Sequence, residues 1–418
     1  NGDRSPAIIG DGNEVVYEGD RSTHTSEDRS IHTHYHFASE PSFLQRSVAV
    51  TGRVVVGQIP GEPVGWIERQ ELTDIGEAFR QHHCVVCVGG RGTGKSTYAA
   101  AYAREVRADK ELGARIIWWT SGETKQALVA GLARLAERLG VADRDGDADK
   151  SAVAARDYLA EMQEPSLLII DNAEDVSMIQ PWLPGGECRV LLTSTNRRFT
   201  DVASEVLVGV FKRPESLDYL TRRTGIKNDE KGANELADAL GDLPLALLQA
   251  TAVIRSQHLT YGQYLRQFRD LSLDEVLIEA GGYPRGLAAA VVLSVKAAWA
   301  EHRKTAGEDD RSVLDLLDAV SVLDPAGVPR ELLFGVVQEL AVAAGRDPES
   351  EDRLNRVVGV LGDFSLITFA EAADDPGDES CGEVLSGVVM HRLVARVIRE
   401  TRSEKWRAPS TSLEEYAT

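Results

Sequence analysis

The stretch Gly89-Gly-Arg-Gly-Thr-Gly-Lys-Ser96 fits the spacing G-x-x-x-x-G-K-[ST]. An apolar segment, Cys84–Val88, runs into it, and an Ala-rich segment, Thr97–Arg107, runs out of it. These flanks read as a strand and a helix. Glycines in such a loop let backbone N–H groups wrap a phosphate beside a helix N-terminus. Gly90, Gly92, Thr93 and Gly94 are expected to supply that wrap, with Thr97 the next residue in contact. Lys95 would neutralise β- and γ-phosphates, and the Ser96 hydroxyl is a ligand for Mg²⁺. An ordinary Gly-rich turn would share the glycines but not the strand, the helix and the Lys-Ser pair together. A second acid must serve the metal. Leu167-Leu-Ile-Ile-Asp171 ends four apolar residues in a carboxylate, at the strand edge where parallel sheets bind ligands. Asp171 is therefore the expected partner of Ser96 on the metal, and Lys95, Asp171 and Asn172 the expected catalytic group. Val190-Leu-Leu-Thr-Ser-Thr-Asn-Arg-Arg198 repeats the pattern of buried strand and polar end. Thr193 and Ser194 are placed to sense a γ-phosphate, and Arg197 or Arg198 to reach it. A solvated loop accounts for the two arginines equally well.

These residues need a frame. From Gly65 to about Val210, apolar strands (Cys84–Val88, Ala114–Thr120, Leu167–Ile170, Val190–Thr193) alternate with amphipathic helices (Thr97–Arg107, Thr124–Leu139). That alternation predicts an α/β fold with a parallel sheet covered on both faces. Val48–Val56 reads as a further strand, Gln58–Pro63 as a rigid lead-in, and the polar run Ala142–Lys150 as a surface loop. After Pro214 the strand signals stop. Ser216–Thr224, Asn234–Leu240, Pro244–Arg255 and Tyr261–Leu271 read as helices. Beyond Pro284 come a helical stripe (Val313, Leu316, Leu317, Val320), then Leu366–Phe369 and Val384–Met390 as a hairpin around Asp374–Asp378, then a helix near His391. Helices followed by a hairpin suggest a winged helix. The expected organisation is a polar arm (1–46), an α/β P-loop NTPase domain (47–210), an all-α helical subdomain (211–285), a winged-helix domain (286–405) and a C-terminal linker (406–418).

Composition narrows the classes. The chain has 418 residues, a formal charge of -20 and four Cys. The charge repels phosphate backbones and argues against coating nucleic acid. Four Cys make no disulfide framework. No run of eighteen apolar residues is present, which argues against a membrane span. The start at Asn-Gly-Asp-Arg has neither Met nor a signal peptide, so the expectation is a fragment of a cytoplasmic protein. Cys84-Val-Val-Cys87 spells C-x-x-C, but in a strand its two thiols point to opposite faces and read as buried apolar residues. The first forty residues hold eight acids, three Arg and four of the nine His. They read as an arm in which His32, His34 and His36 share one face of an edge strand. The Trp118-Trp119 pair reads as core.

The ordered motifs resemble the NB-ARC class of signal-transduction ATPases with numerous domains, the STAND group, which includes apoptosome scaffolds and plant disease-resistance receptors. The bacterial branch, with its C-terminal TPR arrays, looks most similar. The resemblance runs from about Val54 to Arg402. Ile59-Pro-Gly-Glu-Pro63 with Trp66 and Arg69 looks like the lead-in that packs around adenine. Ile116–Trp119, Leu168–Asn172 and Leu192–Ser194 look like the next strand, Walker B and the sensor strand. Gly241-Asp-Leu-Pro-Leu-Ala246 looks like GLPLA, and Val389-Met-His-Arg392 like MHD. The resemblance implies that ATP or ADP with Mg²⁺ is bound, that Pro244 offers a face to adenine, and that His391 contacts the ADP β-phosphate and locks a closed state. Pro244 also suits a plain helix start, and His391 a plain cap. Departures are Asn172 for a second acid, with Glu174 or Asp175 as substitutes, Thr195 where a sensor Arg is expected, and Arg392 for Asp. Hydrolysis is therefore expected to be slow. The implied partners are an N-terminal effector and C-terminal sensor repeats outside this chain, with self-association on activation, in defence or regulatory signalling. The alternative is a DNA-associated AAA+ or transcription-regulator ATPase gripping DNA with its winged helix. The helix Glu331–Val342, with acids and no Arg or Lys, argues against that.

Overall fold

The computed structural model describes residues 53–57, 59–108, 114–271, 285–306, 311–323, 327–343, 345–348, 350–370 and 387–405, and four strand segments nearer the N-terminus. The chain divides into two units, Asn1–Ala49 and Val50–Thr418. In the first, β1 (Ala7–Ile8), β2 (Val15–Val16), β3 (Arg21–Thr25) and β4 (Ile31–Tyr35) pair antiparallel in chain order. The alternating segment forms β4 at the sheet edge, with His32 in register with His24 and His34 with Ser22. His36 lies outside the described residues.

The second unit starts with a six-stranded sheet. Its strands are β5 (Val54–Val56), β6 (Cys84–Val88), β7 (Ile116–Ser121), β8 (Ser166–Asp171), β9 (Cys188–Ser194) and β10 (Ser204–Leu207). The order is β10-β6-β9-β8-β7-β5, and every pairing is parallel. Alternate residues of each strand feed two different cores. Val86, Trp118, Leu168, Ile170, Val190 and Leu192 face one, with α3 (Lys125–Leu139) and α4 (Ala148–Glu161) packed on it. Val85, Ile117, Trp119, Leu167, Ile169 and Leu191 face the other, with α1 (Gln70–Ala78) and α2 (Lys95–Ala108). Sheet burial on both faces explains the continuous apolar runs. It also splits the C-x-x-C: Cys84 belongs to the first core and Cys87 to the second. Both Trp side chains are core, as their sequence suggests.

Several boundaries differ from the expectation, three of them with a plain outcome. The loop expected over Ala142–Lys150 ends early, because Asp147 accepts from the Lys150 N–H and caps α4. The aspartates that look like loop are in part a helix start. The strand expected from Val48 is described only from Val54. The helix expected at Asn234 begins at Glu230, capped by Asp229.

After β10 the chain is mainly helical. The short α5 (Val176–Ile179) precedes β9. Then come α6 (Arg213–Thr224), α7 (Glu230–Ala239), α8 (Pro244–Ser256), α9 (Tyr261–Asp270) and the long α10 (Arg285–Ala306). The last part runs α11 (Ser312–Val322), β11 (Val328–Pro329), α12 (Arg330–Ala343), α13 (Glu351–Asp363), β12 (Thr368–Ala370), β13 (Gly387–Val389) and α14 (Arg392–Lys405). Its three strands are antiparallel in the order β11-β13-β12. The expected hairpin is thus β12–β13, and its turn lies outside the described residues. One continuous apolar core runs from Leu220 of α6, through Leu247 of α8 and Val291 of α10, to Ile398 of α14. Among the described residues no helix is long and apolar enough to cross a membrane.

Candidate nucleotide-binding site

The Gly89–Ser96 loop joins β6 to α2. Gly92 (φ +78°) and Gly94 (φ +99°) adopt the left-handed backbone that lets the loop curl. Lys95 opens α2 and is buried. Its ammonium donates to the carbonyls of Gly89 (3.1 Å) and Gly90 (2.8 Å), folded back over the loop it serves. Burial lowers its pKa, opposed by Asp171 and Glu174 nearby.

Strand order brings the second acid to the loop. Because β9 lies between β6 and β8, the C-terminal ends of all three meet at the loop. The Ser96 hydroxyl donates to Asp171 Oδ1 at 2.7 Å, Thr193 donates to the same oxygen, and Asn172 Nδ2 donates to Oδ2 at 3.0 Å. The Asn172 backbone takes a positive φ of 59°, which asparagine tolerates, and its N–H donates to Thr193 Oγ1 at 2.8 Å. Mg²⁺ takes oxygen ligands and few of them from protein. Ser96 and Asp171 present such oxygens side by side and fit that ion.

These parts open into a cavity of about 1510 Å³. Trp66, the loop from Arg91 to Tyr98, Asp171, Asn172, Pro244 and His391 line it, residues that lie far apart in sequence. Lys95 and seven arginines face five carboxylates there, in a chain of formal charge -20. The cavity is thus a local cationic site suited to an anion.

Several expected contacts are placed plainly. Trp66 packs its ring on Tyr98 of α2 at 5.0 Å. Pro244 is the first residue of α8 and lines the cavity, so both readings of it coexist. Arg213 holds the turn before it with bonds of 2.8 Å to both Asp242 oxygens, and the Leu245 N–H donates to the Gly92 carbonyl at 3.3 Å. His391 does cap α14, with Nδ1 accepting from the Leu393 N–H at 3.1 Å. The residue is exposed and lines the cavity. Burial, Lys95 and Arg392 lower its pKa to about 4. The ring is neutral at pH 7, and with Nδ1 accepting, Nε2 carries the proton.

Other expected residues sit elsewhere. Arg69 does not line the cavity. It pairs with Glu71 (2.7 Å) and Glu215 (3.2 Å) and donates to the carbonyls of Gly209 and Val210. These contacts fix the lead-in to the connection after β10 and to α6, although the Arg69 Nε–H itself has no hydrogen-bond acceptor. Thr193 is fully buried, its hydroxyl bound to Asp171 and Asn172, behind the cavity wall. Arg197 is 73% exposed and faces Glu205 at 3.8 Å. Arg198 is exposed as well, and neither arginine lines the cavity. Of the two acids offered in place of Asn172, Asp175 caps α5, whereas Glu174 lines the cavity and accepts from Thr195 Oγ1 at 2.9 Å. Tyr98, Glu123 and Arg223 are among the lining residues that had no sequence signal of their own. Arg392 was visible only as a departure. It crosses to β7, donating to Ser121 Oγ at 2.9 Å and pairing with Glu123 at 2.6 Å.

Fold and site together make this a P-loop NTPase. No family model matches the chain. The regulatory protein AfsR of Streptomyces coelicolor is 26% identical over 246 residues, 51% of this chain and 25% of AfsR. Apoptotic protease-activating factor 1 of Danio rerio is 27% identical over 280 residues, 62% of this chain and 22% of that protein. A STAND protein with a tetratricopeptide repeat sensor from Pyrococcus horikoshii shares 14% identity at a TM-score of 0.47, covering 86% of this chain and 45% of that one. The match spans about a quarter of the length of these curated relatives. The sequence relatives support an NB-ARC-type P-loop NTPase of the STAND group.

Proposed function

We propose that the chain is the nucleotide-operated switch of a larger signalling protein. The observation that carries this is the composition of the cavity wall. One site is lined by the Gly89–Ser96 loop, by the start of α8 and by the residue that caps α14. A nucleoside diphosphate there would touch the sheet domain and the helical half at once. Lys95 and the loop N–H groups bind its phosphates, Pro244 packs on the base, and the His391 Nε2–H donates to the β-phosphate. Mg²⁺, held by Ser96 and Asp171, would neutralise phosphate charge. ADP therefore holds the halves closed. Exchange for ATP opens them and exposes surface for self-association, which activates an attached effector. Such a ligand shifts the balance only by its difference in affinity for the two states. Moving 1:99 to 99:1 takes about 10⁴-fold.

The last part of the fold has the helix, strand, helix, helix, strand, strand order of a winged helix, and we read it as one. In that order the helix before the hairpin is α13, and not α12 as the sequence reading assumed. Gly359, Gly362 and Asp363 of α13 line the cavity, which supports a latch rather than a DNA-gripping module. Asn172 supports slow hydrolysis, a reset rather than steady turnover, with Glu174, which lines the cavity, the acid that stands in for the missing one.

The test is the nucleotide that copurifies with the chain, released by denaturation and identified by ion-pair chromatography, for the parent and for His391→Ala. ADP in the parent, released faster by the variant, is expected. An empty parent site, or equal retention by both, overturns the latch.

A further inference from the structure

Arg223, at the end of α6, is 8% exposed and lines the cavity. Its Nε–H has no acceptor. Among the described residues no carboxylate pairs with it, and its polar neighbour is the Tyr219 hydroxyl one turn back, which also faces Thr251. Nearby arginines differ. Arg69 holds Glu71 and Glu215, Arg213 holds Asp238 and Asp242, and Arg392 holds Glu123. A guanidinium taken from water without a counter-charge or a full set of acceptors is costly. A bound ligand that supplies acceptors removes that cost.

The position of Arg223 says which part of the ligand it meets. The lead-in lies directly on its aliphatic stem: a Cβ on Gly65 would fall 2.5 Å from Arg223 Cδ, and Gly65 takes φ +83°. Trp66 follows Gly65 and packs on Tyr98. Phe211 and Tyr219, 5.7 Å apart, line the same cavity. Aromatic walls suit the flat face of a base. The groups expected at the phosphates, Lys95, Ser96 and His391, come from other elements. A guanidinium is donor-only and can give one N–H to a ring-nitrogen acceptor of adenine such as N7; the two-acceptor fork belongs to guanine.

We propose that Arg223 reads the base of the nucleotide, donating to a ring-nitrogen acceptor such as N7 of a purine held against Trp66 and the neighbouring aromatics. A pyrimidine lacks the second ring and its N7 acceptor. Arg223 sets purine preference and ties α6, on the helical half, to the ligand. This rests on the nucleotide-switch reading above.

The test uses the full chain stripped of nucleotide, as parent, Arg223→Met and Arg223→Lys. Calorimetry measures binding of ADP, UDP and inorganic pyrophosphate, and thermal unfolding is followed without ligand. Arg223→Met should bind ADP about tenfold more weakly or worse and leave pyrophosphate unchanged. Its preference for ADP over UDP should collapse, and its ligand-free Tm should stay level or rise, because an unpaired buried charge is gone. Arg223→Lys should keep part of the preference. Equal losses for ADP and pyrophosphate would make Arg223 a phosphate contact and overturn the proposal. Undiminished ADP affinity, or a ligand-free Tm that falls along with it, would overturn it too. A parent that binds neither ADP nor pyrophosphate would defeat the nucleotide reading itself, and this proposal with it.

Discussion

The two walls of the cavity are built by different physics. The sheet-domain wall is fixed from within. Lys95 is bonded to its own loop, Asp171 is held by Ser96, Thr193 and Asn172, and the strands beneath are buried on both faces. The opposite wall, the starts of α8 and α14, has its own large core and meets the first through fewer ties: the Leu245–Gly92 bond, the contacts of Arg392 and the packing of Leu243, Leu245 and Leu393 on Gly92. A rigid wall can bind with little reorganisation. A wall joined by a few polar contacts can be released by a change of one phosphate. The proposed switch thereby gives binding and switching to different halves of one cavity.

The largest effect that would break this comparison is on the rigid wall. Lys95→Ala removes a buried ammonium aimed at the phosphates. ADP affinity should fall by about 100-fold, roughly 3 kcal/mol, while Tm without nucleotide changes little. Calorimetric titration checks it, and retained affinity would mean the phosphates lie elsewhere.

Gly92→Val strikes where both walls touch. Its φ of +78° is unfavourable for any residue with a Cβ, and a Cβ there meets Leu245 Cβ at 3.3 Å, Leu243 Cδ2 at 3.5 Å and Leu393 Cδ1 at 3.5 Å. We expect a loss of about 1–2 kcal/mol in stability from the backbone alone, with faster nucleotide exchange because the walls are pushed apart. Denaturant unfolding and release of a fluorescent ADP analogue measure the two effects. An unchanged release rate would show that Gly92 serves the loop and not the junction.

The same contrast decides what the sequence could disclose. The rigid wall is local: its glycines, Lys95 and Ser96 lie within eight residues, and Asp171 ends an apolar strand. Periodicity and spacing therefore find it. The opposite wall is assembled from side chains hundreds of residues apart, such as Arg392 with Ser121, and no local pattern encodes that meeting. Pro244 and His391 were legible through the order of motifs, whereas Glu123 and Arg223 were not. Arg69 shows the opposite failure. Its place beside Trp66 suggests the base, yet two acids and two carbonyls claim it. Arg197 and Arg198 follow a strand end, but a capped turn at Asn196 carries them away from the cavity.

His391 offers a smaller, pH-dependent effect. Its folded pKa of about 4 lies below the ordinary 6.5, so the folded structure favours the neutral ring. Its stabilising contribution is complete above about pH 6.5 and is lost as pH falls from there towards about 4. The Tm difference between the nucleotide-free parent and His391→Gln should shrink over that window. A difference that stays flat through the window would show that the imidazole does not titrate with the junction.

The smallest effect sharpens the comparison most, because it touches a tie between the two walls and not the loop that holds the phosphates. The Arg392–Glu123 pair is short at 2.6 Å, but its side chains are 25% and 49% exposed, so solvent screens it to about 0.5–1 kcal/mol. Glu123→Arg should speed ADP release by about two- to fivefold and leave the P-loop contacts alone. Raising salt should narrow the gap between parent and variant. The swapped pair, Glu123→Arg with Arg392→Glu, should recover most of the lost time on ADP, since the charges again face each other with reversed sign. If the swap releases ADP as fast as Glu123→Arg alone, the pair is an incidental contact, and the junction is held by the nucleotide and the Gly92 packing instead.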